Sequence, residues 1–578
     1  MKPVVCQRKV PGMPLEGIPD LLKRIYLARG ITSTRQLELR LDQLLPFDAL
    51  LNIEQAAERL FQAISNQQSV LIIGDYDADG ATSCAVAIRG LRALGLQSVD
   101  YLVPSRFKYG YGLSAEIVEI ARQYHPHLIV TVDNGITSIA GVKAARTAGI
   151  DVLVTDHHLP GEQLPEANII VNPNQPGDTF QSKMLAGVGV MFYVLLALRA
   201  LMRNNHWFEQ HGQPEPNLAN LLDLVALGTV ADVVPLDQNN RILVEQGLRR
   251  IRAGHTHAGI RAIIQTAGRS LHQLKSADLG FAIAPRLNAA GRLEDMSLGI
   301  ECLLTDDDAE AIKLARELDA INMERRAISQ EMQDEAESML RDLHISDEYD
   351  TGLPVAYCLY QPHWHQGVNG ILAGRIKDKT NRPTIVFARG ENGELKGSAR
   401  SIAGFHIRDA LEAIDAMAPG LIARFGGHAM AAGLTIAEDQ FDRFASQFEA
   451  YVSSALDEDT LMHRIHTDGP MVAGDMTMQT AQALEQAGPW GQGFPEPLFE
   501  GEFSVIDQRR IGADQRHIKL KLGYKDNELD AIAFNQADGI RLSTNEQVYL
   551  TYRMDINRFR GMETLQLVVQ DIIETRAS

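Results

Sequence analysis

The 578-residue sequence has few cysteines and no long apolar run. Its four cysteines, Cys6, Cys84, Cys302 and Cys358, are scattered and form no C-x-x-C pair. The cysteines therefore suggest neither a disulfide framework nor a zinc site. No run of about 18 apolar residues occurs, and the N-terminal segment has no apolar core of the length that a signal peptide needs. A cytoplasmic location is therefore the simplest expectation.

The sequence also lacks an excess of positive charge. It has 55 Lys and Arg against 74 Asp and Glu, for a formal net charge of −19. Because nucleic-acid binding usually uses a basic surface, this balance argues mildly against such a partner. It does not exclude one, since bound metal ions or a local groove of arginines can hold phosphate in an acidic protein.

The length exceeds what one hydrophobic core supports, so three or four domains are expected. From about residue 54, short apolar strands alternate with helical segments, which predicts a parallel sheet covered by helices. Residues 305 to 345 are charged, helix-favouring and free of Gly and Pro, whereas the C-terminal tail alternates as short strands do. The expected order is an N-terminal segment (1–45), a parallel α/β domain (46–304), a connecting helix (305–349), a smaller α/β domain (350–456) and an all-β domain (457–578).

The segment VLIIGDYDADGATS, residues 70–83, carries three aspartates at alternate positions after an apolar run. Asp75, Asp77 and Asp79 superficially match a calcium-binding EF-hand loop. That loop needs a glutamate at its twelfth position, which is Val86 here, and it follows a helix rather than a β-branched strand. The EF-hand interpretation therefore fails.

A second alternative is the haloacid dehalogenase-type phosphatase signature, D-x-D-G-T after a strand. Asp77, Asp79 and Gly80 match it, but Ala81 stands in the threonine place. That interpretation predicts a phosphoaspartate at Asp77. It also needs a downstream lysine and an acidic motif, and neither has a convincing counterpart here.

Three further acidic motifs follow predicted strands or an apolar helix. Asp133 ends one strand, the run Asp156-His157-His158 ends another, and Asp232 follows a helical run. Because ligands bind beyond the carboxyl ends of parallel strands, these groups are expected to converge. Carboxylates with one imidazole suit magnesium or manganese. The ligand set predicted for two ions that catalyse phosphoryl displacement is Asp77, Asp79, Asp133, His157 and Asp232. His158 would contact a phosphate oxygen or protonate the leaving group.

These residues carry a family resemblance. Four motifs resemble those of the DHH phosphoesterase superfamily, in order: DYDADGATS (75–83), VDNG (132–135), DHH (156–158) and GTVADVVPL (228–236). Four more resemble those of its bacterial RecJ exonucleases: APRLNAAGR (284–292), WHQGVNGILAGR (364–375), GSARS (397–401) and FGGHAMAAG (425–433). The resemblance spans nearly the whole chain.

The resemblance implies a 5′ to 3′ exonuclease that hydrolyses single-stranded DNA to 5′ mononucleotides with two Mg²⁺ or Mn²⁺ ions. The metal ligands carry over to the set given above, with Asp75 and His158 as supporting or leaving-group residues. It also implies a role in DNA recombination and repair, with single-strand-binding protein and a RecQ-type helicase as partners. The α/β domains become the DHH catalytic domain and the DHH-associated domain, and the β-rich tail becomes an OB-fold.

Nucleic-acid contacts are expected outside the metal site. Glycine lets backbone N–H groups approach phosphate, and arginine donates two bonds at once. The candidates for gripping the 5′ phosphate and the strand are Arg106, Arg286, Ser398, Arg400, Gly426, Gly427 and His428. The OB-fold would stack bases on aromatic side chains, with Tyr524 and Tyr552 among the candidates.

Two alternative functions share this fold. One is a phosphodiesterase of short oligonucleotides or cyclic dinucleotides, whose smaller members lack the extra barrel. The other is a non-catalytic replisome scaffold. The intact ligand residues at every motif argue against this second alternative.

Overall fold

The computed structural model describes residues 3–12, 15–105, 112–342, 354–390, 393–512, 515–525, 527–537, 542–559 and 561–576. The helices are α1 (Asp20–Leu27), α2 (Ile53–Ser65), α3 (Ala78–Ala93), α4 (Ala115–Ala121), α5 (Ile139–Thr147), α6 (Gly187–Asn204), α7 (Trp207–His211), α8 (Leu222–Ala231), α9 (Gln238–Arg252), α10 (Ala258–Thr266), α11 (Ser276–Asp278), α12 (Ala284–Leu293), α13 (Ser297–Leu304), α14 (Asp308–Asp342), α15 (Asn369–Thr380), α16 (Ile407–Met417), α17 (Phe441–Ala455), α18 (Glu458–Leu461) and α19 (Met478–Gln486). The strands are β1 (Val4–Gln7), β2 (Val70–Gly74), β3 (Val99–Leu102), β4 (Leu128–Val132), β5 (Asp151–Thr155), β6 (Ile169–Val171), β7 (Tyr357–Tyr360), β8 (Thr384–Arg389), β9 (Glu394–Arg400), β10 (Arg424–Gly427), β11 (Ala431–Ala437), β12 (Arg464–Thr467), β13 (Phe499–Ile511), β14 (His517–Tyr524), β15 (Asn527–Ala533), β16 (Gln547–Phe559) and β17 (Met562–Arg576).

The chain divides into two compact units. The larger unit comprises Val10–Asn322 and Gln482–Pro497, and the smaller unit comprises Met1–Lys9, Met323–Ala481 and Leu498–Ser578. Both units are therefore discontinuous in sequence. The limits of the five segments expected from the sequence stay predictions, because these units cut across the first, the third and the last of them.

The larger unit is built on a parallel sheet with strand order β3-β2-β4-β5-β6. The chain leaves β2 for β3 on one side and returns to β4 on the other side of β2. In such sheets the crevice at this reversal, beyond the carboxyl ends of the strands, is where ligands bind. The two strands that flank the crevice, β2 and β4, are those that end at Asp75 and Asp133.

Strand β2 is buried on both faces, which explains its continuous apolar sequence. Val70 and Ile72 belong to the core formed with α3, α6 and α8, whereas Leu71 and Ile73 belong to the core formed with α4 and α5. Successive side chains of a strand point to opposite faces, so one short run supports two helical layers. This rigid sheet fixes where the following acidic loop begins.

The smaller unit contains a mixed sheet and a closed barrel. The sheet has the order β10-β11-β9-β8-β7, with β7 and β8 parallel and the remaining pairs antiparallel. The barrel has the order β13-β14-β15-β17-β16. Strand β1 pairs in parallel with β12, so the N-terminal strand belongs to this unit and not to the larger one that follows it in sequence.

The fold class expected from the sequence is confirmed: a parallel α/β domain, a smaller α/β domain, a long helix and a closed β-barrel. One expectation for the barrel is wrong. Tyr552 is fully buried and packs against Phe499 and Phe503, so it fills the barrel core and cannot stack a base.

Helix α6 is the one helix in the described residues that is long and apolar enough to cross a membrane. Two thirds of its apolar window is buried in the larger unit, where α6 packs against α2, α3 and α8. This burial is typical of a core helix.

Helix packing gives a direct test of the larger core. A Cβ added at Gly90 on α3 would lie 2.9 Å from Cδ2 of Leu195 on α6 and closer still to its Cδ1. We expect Gly90→Ala to lower the free energy of unfolding by about 1–3 kcal/mol through overpacking, against a helix-propensity gain of about 1 kcal/mol. Differential scanning calorimetry measures the change.

Gly374→Ala is the matched control. Gly374 lies inside α15, and an added Cβ would have no neighbour within 4 Å. The control should therefore stabilise the protein by up to about 1 kcal/mol. Stabilisation by Gly90→Ala of the same size would contradict the packing described for α3 and α6.

Candidate metal centre

The acidic motifs of the larger unit meet at the carboxyl edge of its sheet. Their side chains form three groups of possible metal ligands, and within each group the ligand atoms lie within 4.8 Å of one another. The groups are Asp75 with Asp77 and Asp133, Asp79 with His157 and Asp232, and Asp133 with His157 and His158. The structure thus brings together all five residues predicted as metal ligands and both residues predicted to support them.

His157 lies at the centre of this arrangement. Its Nε2 is 3.2 Å from Oδ1 of Asp133 and 3.5 Å from Oδ2 of Asp232. Oδ2 of Asp232 is buried and has no hydrogen-bond donor among the described residues. A buried carboxylate oxygen without a donor is costly, and a cation is one way to satisfy it.

Asp79 is held by the start of α6. Its Oδ2 accepts a hydrogen bond from the backbone N–H of Gly187 at 2.7 Å, and its Oδ1 accepts one from Val188 at 3.0 Å. Burial and the neighbouring Asp77 raise the pKa of Asp79 to about 7, although these two N–H groups act in the opposite direction. The helix N-terminus therefore fixes the orientation of this carboxylate but does not neutralise the site.

Asp77 caps the N-terminus of α3. Its Oδ1 accepts hydrogen bonds from the backbone N–H of Asp79 at 2.9 Å and of Gly80 at 3.0 Å. One aspartate thus ends the loop, starts the helix and lies within the acidic group. The capping interaction is one that Asp makes in many helices, but here it also sets the direction in which this carboxylate enters the site.

Burial and mutual repulsion together determine the electrostatics of the site. Burial, followed by the charges of Asp79 and Asp77, raises the pKa of Asp133 and of Asp232 well above the usual range. Asp133 also has a positive φ of 62°, which only a minority of non-glycine residues adopt. Strained, mutually repelling acids are typical of a functional site rather than of a stabilising network.

Asp156 positions the histidine pair. Its Oδ1 accepts from the backbone N–H groups of His157 and His158 at 2.7 and 3.1 Å, and it lies 2.7 Å from Nδ1 of His158. Burial opposes the charged form of His158, but the hydrogen bond and charge of Asp156 raise its pKa to about 9. The sequence suggested only a strand end at Asp156, and the structure adds this orienting contact.

Two glycines leave room for the acids. A Cβ at Gly187 would lie 2.7 Å from Oδ1 of Asp133, and one at Gly228 would lie 2.8 Å from Oδ1 of Asp79. Both glycines start or line helices that pack on α3, so any side chain would enter the acidic group. Sequence reasoning assigned no role to either residue.

Two asparagines hold the loops that follow β2 and β4 through hydrogen bonds to the backbone. The Nδ2 of buried Asn134 donates to the carbonyl oxygens of Ile73 and Val132, which joins the ends of β2 and β4. Asn288 on α12 accepts from the backbone N–H of Ala78 at 2.8 Å. Both residues lie in motifs that carried the family resemblance, but nothing in their local spacing signalled these contacts.

The donor set fits hard divalent cations. Carboxylate oxygens and one or two imidazoles suit Mg²⁺ and Mn²⁺, whereas no thiolate is among the grouped ligand atoms of the described residues. A cation would also relieve the repulsion that raises the acidic pKa values and would satisfy Oδ2 of Asp232. The residues present therefore fit the predicted metal site.

A second candidate site lies on the sheet of the smaller unit. Strand register places Ser398 beside Gly433, Gly433 beside Gly426, and Arg400 beside Ala431. The backbone N–H of exposed His428 donates to the carbonyl oxygen of Ala431. Five of the predicted DNA-contacting residues, Ser398, Arg400, Gly426, Gly427 and His428, thus share one end of this sheet.

Gly370 makes space for the arginine of this second site. A Cβ at Gly370, near the start of α15, would lie 2.7 Å from Nη2 of Arg400. The motif that contains Gly370 resembled the family, but the sequence did not indicate which side chain the glycine accommodates.

The remaining two candidates are placed differently. Arg286 lies in the larger unit, is buried, and forms an ion pair with Asp319 at 2.8 Å. It is therefore already engaged within its own unit. Arg106 lies outside the described residues.

Models of three protein families match the chain. The DHH family N-terminal domain matches residues 69–229, the DHHA1 domain matches 351–454, and the RecJ OB domain matches 467–571. The first match contains all of the grouped acids except Asp232, and the second contains the Arg400 site.

Curated and solved relatives match over nearly the full length. The single-stranded-DNA-specific exonuclease RecJ of Salmonella typhimurium is 51% identical over 563 residues, which cover 96% of each chain. A crystal structure of Thermus thermophilus RecJ in complex with Mn²⁺ is 31% identical, with a TM-score of 0.79 over 99% of this chain and 80% of that one. A second structure of that protein, with Mg²⁺, has a TM-score of 0.74 at 30% identity and covers 99% of this chain and 79% of that one.

The start of α6 offers a test of the metal centre that removes no ligand side chain. We expect Gly187→Ala to weaken Mn²⁺ binding at least tenfold, because the new methyl group would displace Asp133 and disturb the N–H that holds Asp79. Isothermal titration calorimetry with Mn²⁺ measures the effect.

Gly189→Ala, on the same helix turn, is the control. There the added methyl group meets only the flexible end of Leu185, at 3.0 Å. Its Mn²⁺ affinity should stay near that of the unmodified protein. Equal losses in both variants would show that general damage to α6, and not contact with Asp133, causes the effect.

Proposed function

Because the chain belongs to the RecJ family of single-stranded-DNA-specific exonucleases, we propose that it hydrolyses single-stranded DNA from the 5′ end to 5′ mononucleotides. The observation that carries the proposal is the convergence of Asp79, Asp133, His157 and Asp232 at the sheet edge. A phosphoaspartate mechanism at Asp77 has no comparable support. That mechanism also needs a downstream lysine, which has no convincing counterpart in the sequence.

The reaction requires two divalent ions, Mg²⁺ or Mn²⁺, for which we propose the ligands Asp77, Asp79, Asp133, His157 and Asp232. When bound, such ions activate water and stabilise the charge that develops on the phosphate. The chain itself contributes orientation. The α6 N-terminus fixes Asp79, and Asp77 is fixed by its capping bonds to α3.

His158 is proposed to act on the leaving oxygen, with Asp75 as a supporting residue. Asp156 holds Nδ1 of His158, so Nε2 is the ring nitrogen that would contact the phosphate or donate a proton to the leaving group. The raised pKa of His158 keeps the imidazole in its charged form near neutral pH, in which a proton is available for donation.

The smaller unit is proposed to recognise the 5′ end. Arg400 and Ser398 offer charged and neutral donors. The exposed glycines beside them, Gly426, Gly427 and Gly433, form a glycine strip that would let a phosphate approach the backbone closely. Gly426, Gly427 and His428 complete this group. Arg106 and Arg286 stay further candidates, and Arg286 would first have to leave Asp319.

The cellular context is proposed from the family. The substrate class is single-stranded DNA, and the pathway is DNA recombination and repair in the cytoplasm. A single-strand-binding protein and a RecQ-type helicase would supply the strand. The closed barrel supports a long-strand substrate over a dinucleotide, because barrels of this kind bind extended single strands.

Substitution of a ligand tests the chemistry. We expect Asp133→Asn to lower kcat on single-stranded DNA by at least about a thousandfold, because a neutral amide would bind a divalent cation much more weakly than the carboxylate does. Binding of the strand, measured by fluorescence anisotropy, should change little. A 5′-labelled oligonucleotide with Mn²⁺ reports turnover and polarity together.

Asp306→Asn is the matched control, since Asp306 is exposed and pairs only with Arg89 among the described residues. It should keep full activity. Shortening of the strand from its 3′ end, or full activity of Asp133→Asn, would reject the proposal.

Recognition of the 5′ end has its own test. Arg400→Ala should abolish most of the preference for a 5′-phosphorylated strand over a 5′-hydroxyl strand, with about a tenfold loss of kcat/KM on the former only. Arg389→Ala, which removes an exposed arginine paired with Glu438, is the control. Equal losses on both strands would show that Arg400 contacts the strand elsewhere.

A further inference from the structure

Four exposed apolar side chains lie next in the chain to segments that supply or support the metal ligands. Leu159 directly follows the histidine pair and is 59% exposed, and Val233 directly follows Asp232 and is 62% exposed. Met184, three residues before the start of α6, is 45% exposed, and Phe281 is 81% exposed. We call these four residues the apolar rim. Each one follows or precedes an element that supplies or holds a metal ligand.

Two asparagine amides tie three of these positions into one framework. Nδ2 of Asn174 donates to the carbonyl oxygens of His157 at 2.6 Å and of Lys183 at 3.2 Å. Nδ2 of the buried Asn240 donates to those of Met184 at 2.6 Å and of Pro235 at 2.9 Å. The loops that carry Leu159, Met184 and Val233 are therefore fixed to one another and to the metal centre.

Phe281 lies in a π-helical turn that packs against α8, the helix that precedes Asp232. Residues Leu279–Ile283 form that turn, and a Cβ at Gly280 would lie 3.3 Å from Cγ1 of Val230. Val230 is two residues before Asp232. The turn continues directly into α12, whose Asn288 braces the aspartate loop. π-Helical turns are rare and occur frequently at functional sites.

The backbone of Val233 is held in an unfavourable conformation. Its φ is 62°, a left-handed value that is strongly disfavoured for a β-branched residue. The fold thus presents an apolar side chain to solvent at a cost in both exposure and backbone strain. Neither cost stabilises the chain, which indicates that the side chain has a ligand.

We propose that the apolar rim contacts the nucleobases of the strand next to the phosphodiester that is cleaved, with Phe281 as a stacking surface. This inference rests on the proposed function, and it assigns base contacts to residues of the catalytic unit itself. When a phosphate is drawn to the metal centre, the bases on either side of it must leave their own stack. The rim offers these bases an apolar surface in its place.

The chemistry of the rim also matches a lack of sequence preference. Leucine, methionine, valine and phenylalanine side chains have no hydrogen-bonding groups that read base edges, and every base has a π-face. A protein partner would need a larger apolar surface than these four side chains offer. The nucleobase is therefore the occupant that the surroundings favour.

A substrate in which single bases are missing tests this contact. The full-length protein with Mn²⁺ is given 5′-phosphorylated strands in which one abasic residue is moved through the nucleotides nearest the 5′ end. On the intact strand, Phe281→Ala should lower kcat/KM by about fivefold or more. When the abasic residue occupies the position that faces Phe281, the kcat/KM of the unmodified protein should fall by a similar factor relative to the intact strand. The kcat/KM of Phe281→Ala should fall little further on that abasic strand.

Further variants separate base contact from structural damage. Phe281→Trp should retain activity, and Val233→Asn, which suits a left-handed backbone, should show a smaller loss in the same direction. Met417→Ala removes an exposed apolar side chain from α16 and should change nothing. Mn²⁺ affinity should be unaltered in every variant.

The outcomes are distinct. If Phe281→Ala loses nothing, or loses the same factor on intact and on every abasic strand, the base contact is overturned while the exonuclease proposal stands. If the unmodified protein does not shorten the strand from its 5′ end, the proposed function and this inference both fail.

Discussion

Repulsion among buried carboxylates is the constraint on which the rest of the larger unit depends. Asp79 and Asp133 are buried and Asp232 is partly buried. The charge of Asp79 raises the pKa of both Asp133 and Asp232, and the charge of Asp232 also raises the pKa of Asp133. A fold that only maximised its own stability would separate these charges. Here the parallel sheet gathers them at the crevice between β2 and β4, and neighbouring elements are shaped to tolerate them. The N-terminus of α6 donates N–H groups to Asp79, and the glycines at 187 and 228 leave space for the acids. The amide of Asn134 holds the ends of the two strands together.

The sequence predicted the acidic ligands because their signals are local. A strand followed at once by an aspartate can be read from a few residues, and parallel strands bring such ends to one edge. The supporting residues could not be found in this way. Gly187 lies 108 residues from the Asp79 that it holds, and Asn288 lies 210 residues from Ala78. A glycine at a helix start and an asparagine within a helix have many other uses, so only the folded chain reveals these roles.

Burial and pairing also separated residues that looked equivalent in sequence. Tyr552 and Tyr524 both suggested base stacking, yet Tyr552 fills the barrel. Arg286 and Arg400 both suggested phosphate contacts, yet Arg286 is paired with Asp319, whereas Arg400 lies beside a glycine strip. An alternating strand pattern shows that one face is buried but not which one, and an arginine carries no local mark of its partner. These assignments depend on tertiary contacts.

The net charge of −19 is compatible with a DNA substrate because charge is distributed unevenly. In the described residues, Arg325 and Arg326 on α14 have no acidic partner, and burial together with Arg326 and Arg375 lowers the pKa of Arg325. Three neighbouring arginines give a local positive potential that cannot be seen from the net charge of the whole chain. The acidic excess near the metal centre has the opposite purpose, since it draws divalent cations, which in turn attract phosphate.

The candidate contacts together explain why such an enzyme would accept any sequence. Arg400 and the glycine strip would recognise phosphate, the metal centre would act on phosphate, and the apolar rim would meet the faces of bases. None of these groups reads the hydrogen-bonding edge of a base, which is where sequence is specified. Strand polarity needs only one asymmetric element, and the proposed recognition of the terminal phosphate by Arg400 would supply it. Specificity for a free single-stranded end thus follows from backbone chemistry and base stacking alone.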